Sequence, residues 1–126
     1  MSKIKEFDDI LIVGLGLIGG SIAMKIKEID YSANVYGSEK NLEILKEANK
    51  EGLVTNDKEI DLKNSKNLLV IFCVPVLSFK QALNSVKRFL PSQNITFTDT
   101  LSTKTEIFNT LSCEFNDILG LSLIHI

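Results

Sequence analysis

The feature that most constrains this chain is the glycine-rich turn Gly14-Leu15-Gly16-Leu17-Ile18-Gly19, which joins two segments of different period. Residues 10–13 are a short continuous apolar run, as in a strand buried on both faces. From Leu17 onward the spacing changes. Ile18, Ile22, Ile26 and Ile29 recur at three- and four-residue steps, the period of one helix face. A strand, a G-x-G-x-x-G turn and a helix in that order predict the opening of a βαβ unit.

The rest of the chain repeats the alternation. A second strand is predicted over 34–37, a helix over 41–49 with Gly52 as its C-cap, and a short third strand near Leu53 and Val54. Residues 68–74 form the strongest strand, stopped at Pro75, which cannot donate to a ladder. A helix follows over 77–90, then a strand over 95–98, a helix over 103–111 and a last strand over 118–121. Strands alternating with helices predict a Rossmann-type α/β fold, doubly wound, with a mainly parallel sheet and helices on both faces. Ligands of such sheets sit at the carboxyl ends of the strands. The 126 residues suit one domain, and a 44% hydrophobic composition supplies a core.

The turn predicts a nucleotide site. Gly14 permits the tight strand-to-helix reversal. Gly16 lets the backbone approach a pyrophosphate, and Gly19 lets helix and strand pack closely. The helix N-terminus offers N–H donors to the phosphates, through Leu15, Leu17 and Ile18 as well as the glycines. Glu39 lies twenty residues beyond Gly19, where an acid accepts hydrogen bonds from the adenosine ribose. Its charge repels a 2′-phosphate, so NAD is the expected cofactor. The neighbouring Ser38 and Lys40 suit a 2′-phosphate, which keeps NADP as the less favoured alternative. Cys73, Val74 and Pro75, at the end of the strongest strand, are expected beside the cofactor. Asp99 is expected beside it too, and the polar run of residues 98–104 marks the substrate side. Ser102 there suits either a substrate contact or a helix N-cap, and the two roles are compatible.

Other functions find little support. The net charge of −2 and the lack of a Lys/Arg cluster argue against a nucleic-acid or anionic-membrane surface. Neither a signal peptide nor a membrane span is evident, and a cytoplasmic location is the default. Cys73 and Cys113 match no zinc or C-x-x-C spacing, and the single His125 excludes a His-rich metal site, so no metal is expected. Cys73 is expected to pack as a small hydrophobe.

Four segments together resemble the nucleotide-binding domain of the prephenate dehydrogenase family. They are residues 12–21 (IVGLGLIGGS), 35–39 (VYGSE), 70–76 (VIFCVPV) and 98–104 (TDTLSTK), and the resemblance runs over about residues 8–120. It implies an NAD-dependent oxidoreductase of tyrosine biosynthesis that oxidises prephenate to 4-hydroxyphenylpyruvate with loss of CO₂. Ser102 then matches the family serine that meets the catalytic histidine and the substrate hydroxyl. Three departures accompany the resemblance. Leu101 stands where the family has Gly. The family's G-x-H-P motif is not found in register, and His125, with no Pro after it, is not given the catalytic role. The helical domain that dimerises the family and binds the substrate carboxylates is not expected within these residues, and residues 121–126 are expected to be an atypical tail. Cofactor binding with little or no dehydrogenase activity is therefore expected of these 126 residues. The alternatives are an arogenate dehydrogenase, another NAD(P) oxidoreductase, and a stand-alone nucleotide-binding module.

Overall fold

The computed structural model describes residues 7–29, 34–92, 94–99 and 122–125. Strand β1 (Asp9–Val13) leads through the glycine turn into helix α1 (Leu17–Ile29). Strand β2 (Val35–Ser38), helix α2 (Leu42–Lys50) and strand β3 (Leu68–Phe72) follow. A 3₁₀ turn (Val76–Ser78), helix α3 (Phe79–Val86) and a second 3₁₀ turn (Lys87–Phe89) lead to β4 (Ile95–Asp99) and β5 (Ser122–His125). The strands form one sheet in the order β2-β1-β3-β4-β5, and every pair is parallel. The chain goes to one side of β1 for β2 and to the other for β3. That reversal opens a crevice at the carboxyl ends of β1 and β3, where open α/β sheets bind ligands.

Alternation along the strands builds two cores. Leu11, Val13, Leu68, Val70, Phe72, Ile95 and Phe97 face one way and pack with Phe79, Leu83 and Val86 of α3. Ile10, Ile12, Val35, Leu69 and Ile71 face the other way, against Ala23 and Ile26 of α1 and Leu45 and Ala48 of α2. Helices on both faces explain why β1 and β3 read as continuous apolar runs rather than alternating ones.

Helix α2 is framed by its caps. Asn41 adopts an extended conformation and its Oδ1 accepts from the Glu43 N–H at 3.0 Å, an N-cap bond. At the other end, Gly52 N–H donates to Asn49 O at 3.0 Å and Leu53 N–H to Ala48 O at 2.9 Å, the paired bonds of a Schellman motif.

Three expectations change. The helical face of α1 is set by buried Gly19, Ala23 and Ile26, while Ile18 is exposed, because small residues let the helix lie close to β1. The helix expected over 77–90 is an eight-residue α-helix between two 3₁₀ turns. No strand is assigned at Leu53 and Val54. There, Thr55 N–H bonds Val35 O at 2.8 Å, and the ladder then passes to a side chain, the amide of Asn56 on Gly37. Among the described residues a further strand runs over Ser122–His125, within the stretch expected to be an atypical tail, with His125 opposite Asp99 in the register. The strand expected over 118–121 and the helix over 103–111 lie outside the described residues.

Candidate nucleotide-binding site

The site begins where β1 ends. Gly14 has φ +94°, the left-handed region that favours glycine. Its N–H donates to Ser38 O at 2.8 Å, and Cys73 N–H donates to Val13 O at 2.8 Å, so the ends of β2, β1 and β3 are tied side by side. A Cβ on Gly14 would press on Cys73 O and Val74 Cγ1, both 2.8 Å away. A Cβ on Gly19 would overlap the Gly14 carbonyl oxygen and meet Ile12 Cγ2 at 3.4 Å. These two glycines are required by the protein itself.

Gly16 differs. A Cβ there meets nothing within 4 Å. No packing requires glycine at this position, and the open space above it is what a close-approaching phosphate needs. The first-turn N–H groups of α1 lack intrahelical acceptors by helix geometry. No acidic residue stands in that turn to offset the partial positive charge of the helix end.

Glu39 follows β2 and turns back to the glycine loop. Its Oε1 accepts from the Leu15 N–H at 2.8 Å, and its Oε2 accepts from the Asn41 N–H at 3.0 Å. The acid therefore bridges the glycine turn and the start of α2. Beside it lies a cavity of about 340 Å³, lined by Val13, Gly14, Ser38, Glu39, Lys40, Val74 and Pro75, with Ser78, Gln81, Ala82 and Ser85 on the α3 side. Its volume falls within the range of about 300–1,000 Å³ usual for small-molecule sites. A larger groove of about 460 Å³ lies between α1 and α2, and Leu15, Gly16 and Leu17 reach it.

No family model matches the sequence. The prephenate dehydrogenase of Lactococcus lactis subsp. cremoris is 34% identical over 98 residues, 78% of this chain and 27% of that protein. This chain is similar to prephenate dehydrogenases. Two crystal structures of prephenate dehydrogenase from Aquifex aeolicus superpose with TM-scores of 0.73 at 23% identity, one of them in complex with hydroxyphenyl propionate and NAD⁺. They match 89% of this chain and 40% and 41% of theirs, and at that identity the likeness is one of fold. The chain thus spans less than half the length of each of these three prephenate dehydrogenase chains.

The structure gathers Gly14, Ser38, Glu39, Val74 and Pro75 around one cavity. Leu15 contributes its amide to Glu39, while its side chain is buried beneath Gly37. Leu17 and Ile18 expose their side chains at the turn. Cys73 lies half-buried against the α1 side of the core, and burial pushes its thiol up to about 11. Asp99 ends β4 opposite Phe72 of β3. Ser102 and Leu101 lie outside the described residues. The α3 wall was missed: Ser78, Gln81, Ala82 and Ser85 recur at helical spacing, a small and polar stripe opposite the apolar Phe79, Leu83 and Val86. Among the described residues no group of His, Cys, Asp and Glu is arranged to hold a metal, and no helix is long and apolar enough to cross a membrane.

Proposed function

We propose that this chain is the NAD-binding part of a prephenate dehydrogenase-like oxidoreductase. The observation that carries the reading is the return of Glu39 to the Leu15 amide beside a cavity that Gly14 helps to line. The chain's groups fit a dinucleotide. The open space at Gly16 and the uncompensated N-terminus of α1 take the pyrophosphate. The cavity between Glu39 and α3 takes the adenosine, with the carboxylate on the ribose hydroxyls. Val74 and Pro75 then flank the path from the pyrophosphate to the nicotinamide. Held there, NAD would supply the hydride acceptor for oxidation of a hydroxyl-bearing carbon. The chain's own part is to orient the cofactor at the carboxyl ends of β1, β3 and β4, with Asp99 beside it and Ser102 on the substrate side.

In this reading the substrate is prephenate, the enzyme works as a dimer through the family's helical domain, and its place is the cytoplasm, where a free thiol such as Cys73 persists.

Calorimetric titration of the chain with NAD and NADP tests the proposal, with Gly16→Val as control. Gly16→Val should fold, because its Cβ has room, yet fill the phosphate approach. The expected result is NAD binding, weaker NADP binding, and loss of both in a folded Gly16→Val. If neither cofactor binds the wild-type chain, the reading is wrong.

A further inference from the structure

The Glu39 carboxylate is held from two sides by backbone amides, Leu15 N–H on Oε1 at 2.8 Å and Asn41 N–H on Oε2 at 3.0 Å. We propose that this two-point clamp sets the preference for NAD over NADP, with Asn41 as a positioning residue that acts through its main chain. The proposal rests on the dinucleotide reading above and deepens it.

A carboxylate alone does not guarantee discrimination. An unrestrained glutamate has several rotamers and can turn away from an arriving 2′-phosphate. Lys40 makes that escape consequential. It lines the same cavity and is exposed, so a displaced Glu39 would leave a cation facing the phosphate. The clamp closes this route. Each carboxylate oxygen has two lone pairs, and one on each is already taken by an amide. The remaining pair on each oxygen matches two ribose hydroxyls. A 2′-phosphate brought to the same place meets a negative charge that cannot withdraw without breaking two hydrogen bonds.

The clamp can be weakened without altering the acid. Proline at position 41 has no N–H, and the φ of Asn41, −88°, lies near the proline range of about −65 ± 15°. The Asn41 carbonyl, which accepts from Ile44 and Leu45 N–H, is retained. Asn41→Pro also removes the side-chain cap, so Asn41→Ala, which loses the cap and keeps the amide, is the matched comparison. Dissociation constants for NAD and NADP are measured on all three proteins. The expected result is a NADP/NAD ratio at least fivefold smaller in Asn41→Pro than in Asn41→Ala. Equal ratios in the two variants overturn the proposal while leaving the dinucleotide reading intact. Binding of neither cofactor by the wild type overturns both. A second measurement does not depend on the proline variant folding. Amide hydrogen exchange at Leu15 and Asn41, without ligand, should be at least tenfold faster in Glu39→Ala than in the wild type. Unchanged exchange at both amides shows that no clamp exists and sinks the proposal.

Discussion

The side-chain amide of Asn56 brackets Gly37: its Oδ1 accepts the Gly37 N–H at 2.8 Å, and its Nδ2 donates to the Gly37 carbonyl at 2.8 Å. One side chain thus stands in for the next strand at the edge of the sheet. Nδ2 also donates to Lys58 O at 2.7 Å, and Asn56 is buried.

Asn56→Ala therefore leaves two backbone groups of a buried residue without partners. The expected cost is about 2–3 kcal/mol in chemical denaturation, given about 1–3 kcal/mol for an unsatisfied buried group. Asn56→Asp should do more harm at neutral pH, because a carboxylate oxygen then faces the Gly37 carbonyl. It should recover part of the loss on acidification, beginning above the range where an exposed aspartate protonates, because burial and the facing carbonyls raise the carboxyl. A pH-independent deficit in Asn56→Asp would contradict this account.

The glycine turn separates fold from function within six residues. Gly19→Ala drives a Cβ onto the Gly14 carbonyl, a backbone atom that cannot yield, and should lower stability by about 3 kcal/mol or prevent folding. Gly16→Ala meets open space, and its φ is not in the left-handed region. It should leave stability unchanged or raise it by up to about 1 kcal/mol, by restricting the unfolded chain. It should nonetheless weaken NAD binding. Melting curves and titrations on the two variants check both halves, and loss of folding in Gly16→Ala would refute the distinction.

Much of this was legible in sequence because it depends on local pattern. The glycine turn, the acid after β2, the runs that become β1 and β3, and the C-terminal position of Gly52 are all local signals. The edge of the sheet was not legible. Leu53 and Val54 have strand composition, but a Schellman turn precedes them and Asn56 takes the ladder over, an arrangement set by tertiary contact. Residues 122–125 carry no family motif, and their pairing as a strand needs only an open edge on β4. The α3 wall of the cavity was overlooked because Ser78, Gln81, Ala82 and Ser85 carry no chemistry alone and gain a role only opposite Glu39.

Phe72 ties the core to the site. It is fully buried, with Phe79 edge-on at 4.8 Å between centroids and Phe97 stacked at 6.0 Å. It also immediately precedes Cys73, Val74 and Pro75. Phe72→Ala should cost about 3–5 kcal/mol, the usual range for a buried phenylalanine. Phe72→Leu should cost less, and NAD affinity should fall with it if the cavity wall shifts. Full stability in Phe72→Ala would show that the three rings do not form one packed unit.

Cys73 gives the protein an alkaline limit. Burial raises its thiol from 9.0 to about 11, so the folded state disfavours the thiolate that the unfolded chain forms freely. The unfolded chain therefore loses the proton first. The contribution is fully present below about pH 9 and is lost as pH rises from 9 towards 11. Tyr36 acts in the same direction above pH 10, its phenol raised by burial and then by the charge and hydrogen bond of Asp9. Melting temperatures in a Cys113→Ser background should fall between pH 9 and 11, and Cys73→Ala should flatten the part of that fall due to the thiol. Because burial holds Cys73 in the thiol form, maleimide labelling should be slow in the folded chain and fast after denaturation. Rapid labelling of the native protein would mean that Cys73 is not held in this environment.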